Sequence, residues 1–256
     1  MRGAGCVIPA AGDGLRLGGP RRKPFVTLSG APLIVHALRA CERATTIESV
    51  VVVAHAADQE AMRRLVAAQR LRKVRAVVPG GASRAESVRL GVAALPAPVA
   101  WVAIHDAARP CVRPALFDAA VAEARRCGAV ACGLPASVTV KAVDAARQVR
   151  LTLDRESLWF LQTPQVCRRD WLLEAMARAG ERLASFPDDV SILEWAGFPV
   201  RMVPGDPWNL KVTTREDLVL AEAILKAQQG GGGRLQATSS KRHAFRKKTE
   251  GVTPAA

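Results

Sequence analysis

Between Asp13 and Lys23 the chain sets four cations, Arg16, Arg21, Arg22 and Lys23, against one anion, in a segment opened by Gly12 and Gly14. Glycine lets backbone N–H groups approach an anion closely, and arginine offers a bidentate fork to phosphate oxygens. The excess of four cations over one anion is about the opposite of a triphosphate's charge, so the stretch points to a bound nucleoside triphosphate. A glycine-rich surface loop is the plain alternative. In "HDAARP", Asp106 follows an apolar run. A carboxylate there suits Mg²⁺ bridging phosphate oxygens, or else a helix cap or a surface charge. Arg109, three residues on, could grip a second anion. "PGGASRAESV", Pro79 to Val88, is a second Gly-rich turn entering a helix. Its N–H groups and the Ser87 hydroxyl could meet a base or ribose, or it is an ordinary capped loop. Lys211 in "NLKVTTREDL" and Arg155 in "DRESLW" could each bind phosphate or stand as solvated cations. No obvious Ser–His or Cys–His pairing marks a protein nucleophile.

Two familiar phosphate loops are excluded. The P-loop requires Gly-Lys-Ser/Thr after its second glycine, and here Pro20 follows Gly19. The dinucleotide fingerprint requires a third glycine where Leu17 stands, and an acidic residue closing the second strand, where Val53 leads into Ala54 and His55.

The elements that must position these residues alternate in type. Gly5–Pro9, Ser49–Ala54, Ala76–Val78, Trp101–His105 and Val130–Leu134 read as short strands apolar on both faces, as in a covered parallel sheet. Pro32–Arg43, Asp58–Gln69, Arg84–Leu95 and Pro114–Cys127 read as helices, with Met62, Leu65 and Val66 on one face of the second. Capping boxes pair Ser83 with Glu86 and Thr213 with Glu216. This is an α/β fold, a doubly wound, mostly parallel sheet. Ligands sit at the C-terminal ends of such strands, where the first loop and Asp106 both fall. From Ala136 the pattern changes: "SVTVKAVDAARQVRLTLD" reads as two alternating strands around a polar turn, a β-hairpin arm projecting over 136–155. Helices near Asp170–Arg182 and Asp189–Ala196, a strand Val200–Val203 and a last helix Thr214–Lys226 follow.

The chain of 256 residues therefore reads as one domain over 1–229 and a tail over 230–256. Net charge is +14. Of 37 basic residues 29 are arginine in an alanine-rich chain, a bias that composition alone explains. Six of the cations against one acid lie in the tail, which opens on four glycines, lacks apolar periodicity and is expected to be disordered. Nucleic-acid binding would call for aromatics interleaved with the cations, and there is no tyrosine. No specific nucleic-acid partner is expected. No apolar run approaches a membrane span or a signal-peptide centre, so a cytoplasmic protein with no membrane partner is expected. The six cysteines form no metal-type spacing and read as reduced thiols.

Seven stretches in order, "PAAGDGLRL", "GGASRAESV", "HDAARP", "LDRESLW", "QTPQ", "DDVSILEWAGF" and "NLKVTTREDL", resemble the 2-C-methyl-D-erythritol 4-phosphate cytidylyltransferase family from about Cys6 to Leu225. The resemblance implies a Rossmann-like sheet, a homodimer embraced by hairpin arms, and CTP with Mg²⁺ or another divalent cation. It implies transfer of CMP to methylerythritol phosphate with release of pyrophosphate, in the non-mevalonate route to isoprenoids. A cytidylyltransferase for another polyol phosphate, such as ribitol 5-phosphate, would share the nucleotide loop. Matched motif by motif, Pro9, Ala10, Ala11, Gly12, Gly14, Arg16, Lys23, Gly81, Ser87 and Asp106 would hold CTP, and Asp106 the metal. Arg109, Thr139, Arg155, Asp188 and Lys211 would hold the acceptor, with Thr139 and Arg155 supplied by the neighbouring subunit. Arg16, Lys23, Asp106 and Lys211 would be catalytic. The sequence departs from the family pattern at Pro24, at Pro187 before the acidic pair, and at Trp208, with Asp206 two residues earlier.

Overall fold

A computed structural model describes residues 3–12 and 22–230. Asp13, Gly14, Arg16 and Arg21 of the first loop, and the tail from residue 231, lie outside the described residues.

The chain runs β1 (Ala4–Ala10), a 3-10 turn at Lys23–Phe25, the short pair β2 (Thr27–Leu28) and β3 (Ala31–Pro32), and α1 (Leu33–Arg43). Next come β4 (Ile47–Ala54), α2 (Gln59–Ala68), β5 (Val74–Pro79), α3 (Arg84–Ala93), β6 (Trp101–Ile104), α4 (Pro114–Cys127) and β7 (Ala129–Pro135). The arm is β8 (Val140–Val143) and β9 (Val149–Leu153), paired antiparallel apart from the main sheet. Then follow β10 (Trp159–Arg168), α5 (Arg169–Ala179), α6 (Asp189–Trp195), β11 (Arg201–Pro204) and α7 (Arg215–Gly230).

The main sheet has seven strands in the order β11-β7-β10-β6-β1-β4-β5. β10 runs antiparallel to both of its neighbours and the other pairings are parallel. Both faces are covered because the central strands β1, β4 and β6 are apolar on both sides along most of their length. Val50 and Val52 pack with Ile34, Leu38, Met62 and Phe117 on the face of α1, α2 and α4. Val51 and Val53 pack with Val88, Val92, Leu172 and Leu193 on the face of α3, α5 and α6. Helix α3 lies close against the sheet: a Cβ on Gly91 would stand 2.5 Å from Val7 Cγ1, so only glycine fits.

Three expectations need correction. β10 is not among the strands expected from the sequence: "WFLQTPQVCR" carries two glutamines and a proline, which interrupt an apolar strand pattern. Its pairing shifts between Leu161 and Gln165, and Pro164 sits inside that irregularity, where the ladder needs no N–H. The last helix extends through Gly230, the residue at which the tail was expected to begin. Its cap is not Thr213 with Glu216. The Asp217 carboxylate accepts from Thr213 N–H at 2.7 Å and Thr214 N–H at 2.9 Å. All six cysteines stand as free thiols.

Candidate active site

The C-terminal ends of β1, β4 and β6 open onto a cavity of about 500 Å³. Pro9 to Gly12 form its floor, Lys23 and Pro24 one side, Gly81 to Arg84 with Ser87 another, and Asp106 with Lys211 the far wall. The structure thus gathers Pro9, Ala10, Ala11, Gly12, Lys23, Gly81, Ser87, Asp106 and Lys211 around one space, though they span some two hundred residues of sequence. The glycine turn approaches the first loop so closely that a Cβ on Gly80 would stand 2.3 Å from Ala11 Cβ. A larger hollow of about 840 Å³ lies at the opposite ends of the strands, around Trp101, Arg126 and Trp171. Its cations are engaged locally: Arg169 binds carbonyls at the C-terminal end of α3, and Arg168 pairs with Asp170.

Asp106 is the electrostatic centre. One carboxylate oxygen lies 2.9 Å from Lys211 Nζ and 3.6 Å from Arg109 Nε, the other 3.5 Å from an Arg84 nitrogen. Burial alone would raise this carboxyl, but Lys211, Arg84 and Arg109 together hold it well below the usual carboxylate range. It is an anion at any physiological pH. Arg84 is also bidentate to Asp189, at 2.7 and 3.0 Å, so one guanidinium bridges the nucleotide wall to the start of α6. Asp189 is itself buried, and its N–H donates to Gln165 Oε1 of β10 at 3.0 Å.

A buried relay fixes the backbone that presents Asp106. Asp106 N–H donates to Thr163 Oγ1 at 3.0 Å, and Thr163 Oγ1 lies 3.0 Å from His105 Nδ1. His105 Nε2 faces the Arg109 carbonyl at 3.4 Å, so Nε2 carries the proton and Nδ1 accepts from the threonine hydroxyl. This requires a neutral ring, and burial brings His105 down to about 4, against the pull of Asp106. The unfolded imidazole titrates near 6.5. Between those values the unfolded chain binds the extra proton, so this contribution is complete above pH 6.5 and is lost as the pH falls toward 4. At 1.36 kcal/mol per pKa unit it amounts to about 3 kcal/mol. His36, lowered by burial, acts in the same direction, whereas Asp189, raised by burial, opposes it. In urea unfolding at pH 7 and 4.5, the wild type is expected to lose more stability than a His105→Asn variant. Equal losses would show that the ring is not held neutral.

Other expected site residues are placed differently. Arg109 is buried, with its terminal nitrogens on the carbonyls of Asn209 at 2.8 Å and Leu161 at 3.3 Å. It braces the wall behind Asp106 and does not line the cavity. Asp188 caps α6, accepting from Ser191 N–H at 2.9 Å, and its neighbour Asp189 is the acidic residue that reaches the cavity wall, through Arg84. Thr139 precedes β8 and Arg155 opens the 3-10 turn after β9, both exposed on the arm and away from this chain's cavity. The Gly81 N–H donates to Ser87 Oγ at 3.1 Å and the Ala82 N–H to Glu86 at 2.8 Å. Asp206 is engaged by Arg113 at 3.4 Å and by Trp208 N–H at 2.9 Å. Arg84, Asp189 and Thr163 escaped the sequence reading. Arg84 is one arginine among 29, Asp189 stands beside the more obvious capping residue, and Thr163 lies in the unread strand.

A doubly wound sheet with a glycine-lined cavity at its strand ends, one ionised carboxylate and converging lysines defines a nucleotidyltransferase. A sequence model of the family described as 2-C-methyl-D-erythritol 4-phosphate cytidylyltransferase matches residues 5–227. The protein of that name from Pelotomaculum thermopropionicum is 42% identical over 226 residues, 88% of this chain and 94% of its own. That from Gloeobacter violaceus is 40% identical over 223 residues, 87% of this chain and 96% of its own. Among solved structures, the 4-diphosphocytidyl-2C-methyl-D-erythritol synthase of Anaerococcus prevotii aligns with a TM-score of 0.78 at 25% identity, covering 88% of this chain and 96% of that one. The 2-C-methyl-D-erythritol 4-phosphate cytidylyltransferase of Thermus thermophilus aligns with a TM-score of 0.70 at 29% identity, covering 88% and 100%. The chain belongs to the 2-C-methyl-D-erythritol 4-phosphate cytidylyltransferase family.

Proposed function

We infer that this protein transfers CMP from CTP to 2-C-methyl-D-erythritol 4-phosphate and releases pyrophosphate, a step in isoprenoid precursor biosynthesis. The observation that carries the reading is the convergence of Lys23, Asp106 and Lys211 on one cavity floored by Pro9–Gly12. An acceptor phosphate oxygen forms a bond to the α-phosphorus while the bond from that phosphorus to the bridging oxygen breaks in line, and the electron pair leaves on pyrophosphate. Both partners are anionic. The protein's task is to position them and to neutralise charge as it builds on the α-phosphoryl oxygens. Lys23, with Arg16 outside the described residues, is assigned to those oxygens, and Lys211 to the acceptor phosphate.

Asp106 fits a divalent cation of the Mg²⁺ type, which is commonly held by one or two carboxylates together with substrate phosphates. Its carboxylate is ionised and borders the cavity. When bound there, such an ion would supply neutralisation of the triphosphate's charge. Asp206, tied to Arg113 and Trp208, is not assigned as a second ligand.

The arm carries apolar side chains in the open: Val138, Val143, Val149 and Leu151 are each more than half exposed. We assign this surface to a homodimer contact that would bring Thr139 and Arg155 to the partner's acceptor pocket. No helix among the described residues is long and apolar enough to cross a membrane, in keeping with a proposed cytoplasmic enzyme. The test is a matrix of four nucleoside triphosphates against methylerythritol phosphate and ribitol 5-phosphate with Mg²⁺, followed by pyrophosphate release. CTP with methylerythritol phosphate is expected to exceed every other pair by at least about tenfold. Equal or faster turnover of ribitol 5-phosphate would overturn the acceptor assignment.

A further inference from the structure

The cavity wall includes a residue that neither the motifs nor the assigned roles account for: His55, the first residue after β4. It caps the short 3-10 turn Ala56–Asp58, and its Nδ1 accepts from Ala57 N–H at 3.2 Å. A neutral imidazole has one acceptor and one donor nitrogen. With Nδ1 committed as acceptor, the ring proton is on Nε2. Among the described residues no protein group bonds Nε2, so a hydrogen-bond donor stands unengaged in the wall of the cavity.

That donor matters because its neighbours are spent. The N–H groups of Gly81 and Ala82 are satisfied within their own turn, and that of Gly80 donates to the Ala54 carbonyl at 2.9 Å. Besides His55, the side-chain donors on this side of the cavity are the Ser83 and Ser87 hydroxyls and the Arg84 guanidinium, the last engaged by Asp189 and Asp106. Cytidine brings two ring acceptors, O2 and N3, and ribose oxygens besides. We propose that His55 is a nucleotide-binding residue, donating from Nε2–H to an acceptor atom of the nucleoside. The proposal rests on CTP being the substrate. The same turn is tied to the end of the phosphate loop by an Arg22–Asp58 ion pair at 3.0 Å, so its position is fixed relative to Lys23.

Two substitutions separate donation from capping. In His55→Asn the short amide oxygen can replace Nδ1 as the cap, but its NH₂ falls short of the cavity. In His55→Gln the longer amide reaches the place of Nε2 and the cap is lost. Calorimetric titration with CTP is expected to show affinity falling about 5–10-fold in His55→Asn, the worth of one net hydrogen bond, and less than about twofold in His55→Gln. In steady state the His55→Asn loss is expected in KM, with kcat changed by less than about twofold. A loss that persists with dCTP lacking the 2′-hydroxyl places the acceptor on the base or the 3′ side, and one that vanishes places it at the 2′-hydroxyl. A His55→Asn protein that binds CTP as the parent does, or a His55→Gln protein that alone is impaired, reduces His55 to a cap and overturns the inference. Failure of the parent itself to bind CTP would instead overturn the proposed function.

Discussion

Asp106→Asn is expected to lower kcat/KM for CTP by about three orders of magnitude and to destabilise the fold as well. The amide keeps the shape and loses the charge on which Lys211, Arg84 and Arg109 converge, at 2.9, 3.5 and 3.6 Å. Removing one preorganised electrostatic contact costs roughly two to three decades in rate. Here the substitution removes the carboxylate assigned to the cation and also the anchor that holds Lys211 at the cavity wall. Stability suffers because Arg109 is buried and keeps no carboxylate partner among the described residues. Breaking a buried pair costs about 3–5 kcal/mol when nothing compensates. Arg84 retains Asp189, and Lys211, with its side chain 43% exposed, is screened by water, so the lower end of that range is expected. Adding Lys211→Met removes one stranded cation and is expected to recover part of the stability and none of the turnover. Pyrophosphate release and urea unfolding on the same preparations decide the matter. Turnover of the single variant within about tenfold of the parent would take the carboxylate out of the reaction.

The residues legible in the sequence and those hidden in it differ by physical cause. β4 announced itself because four consecutive valines are apolar on both faces, which only a doubly covered strand tolerates. Asp106 was legible because it ends such a strand. β10 was not, because its two glutamines are buried for a reason no local pattern carries. Gln162 bonds Asp206 and Asn209, and Gln165 receives the N–H groups of Asp189 and Val190. Those partners lie more than twenty residues away in sequence. With β10 missed, the Thr163 support of Asp106 was missed too. The ion pair of Lys211 with Asp106 at the cavity lining also had to wait for three dimensions, since Asp106 lies about a hundred positions upstream. Arg109 shows the converse: its spacing from Asp106 suggested an anion contact, and the structure sets its guanidinium against two carbonyls behind that carboxylate.

Lys23→Ala is the second large effect, and it separates chemistry from folding more cleanly than Asp106→Asn. Lys23 opens the 3-10 turn whose backbone is held independently of the side chain, by Val26 N–H on the Lys23 carbonyl at 3.2 Å and by buried Pro24. The neighbouring Arg22 keeps its ion pair with Asp58 when Lys23 is truncated. Stability is therefore expected to change by no more than about 0.5–1 kcal/mol, the range for a side chain that is not part of the core. The ammonium is assigned to the α-phosphoryl oxygens, where negative charge grows only as the new phosphorus–oxygen bond forms. A contact strengthened in the transition state appears in kcat, and its loss costs roughly 3–4 kcal/mol, or two to three decades. The expected pattern is thus kcat down by about 10²–10³ with an unfolding curve close to the parent's. A rise in KM alone would move Lys23 to ground-state binding of the triphosphate, and near-normal kcat/KM would remove it from the site.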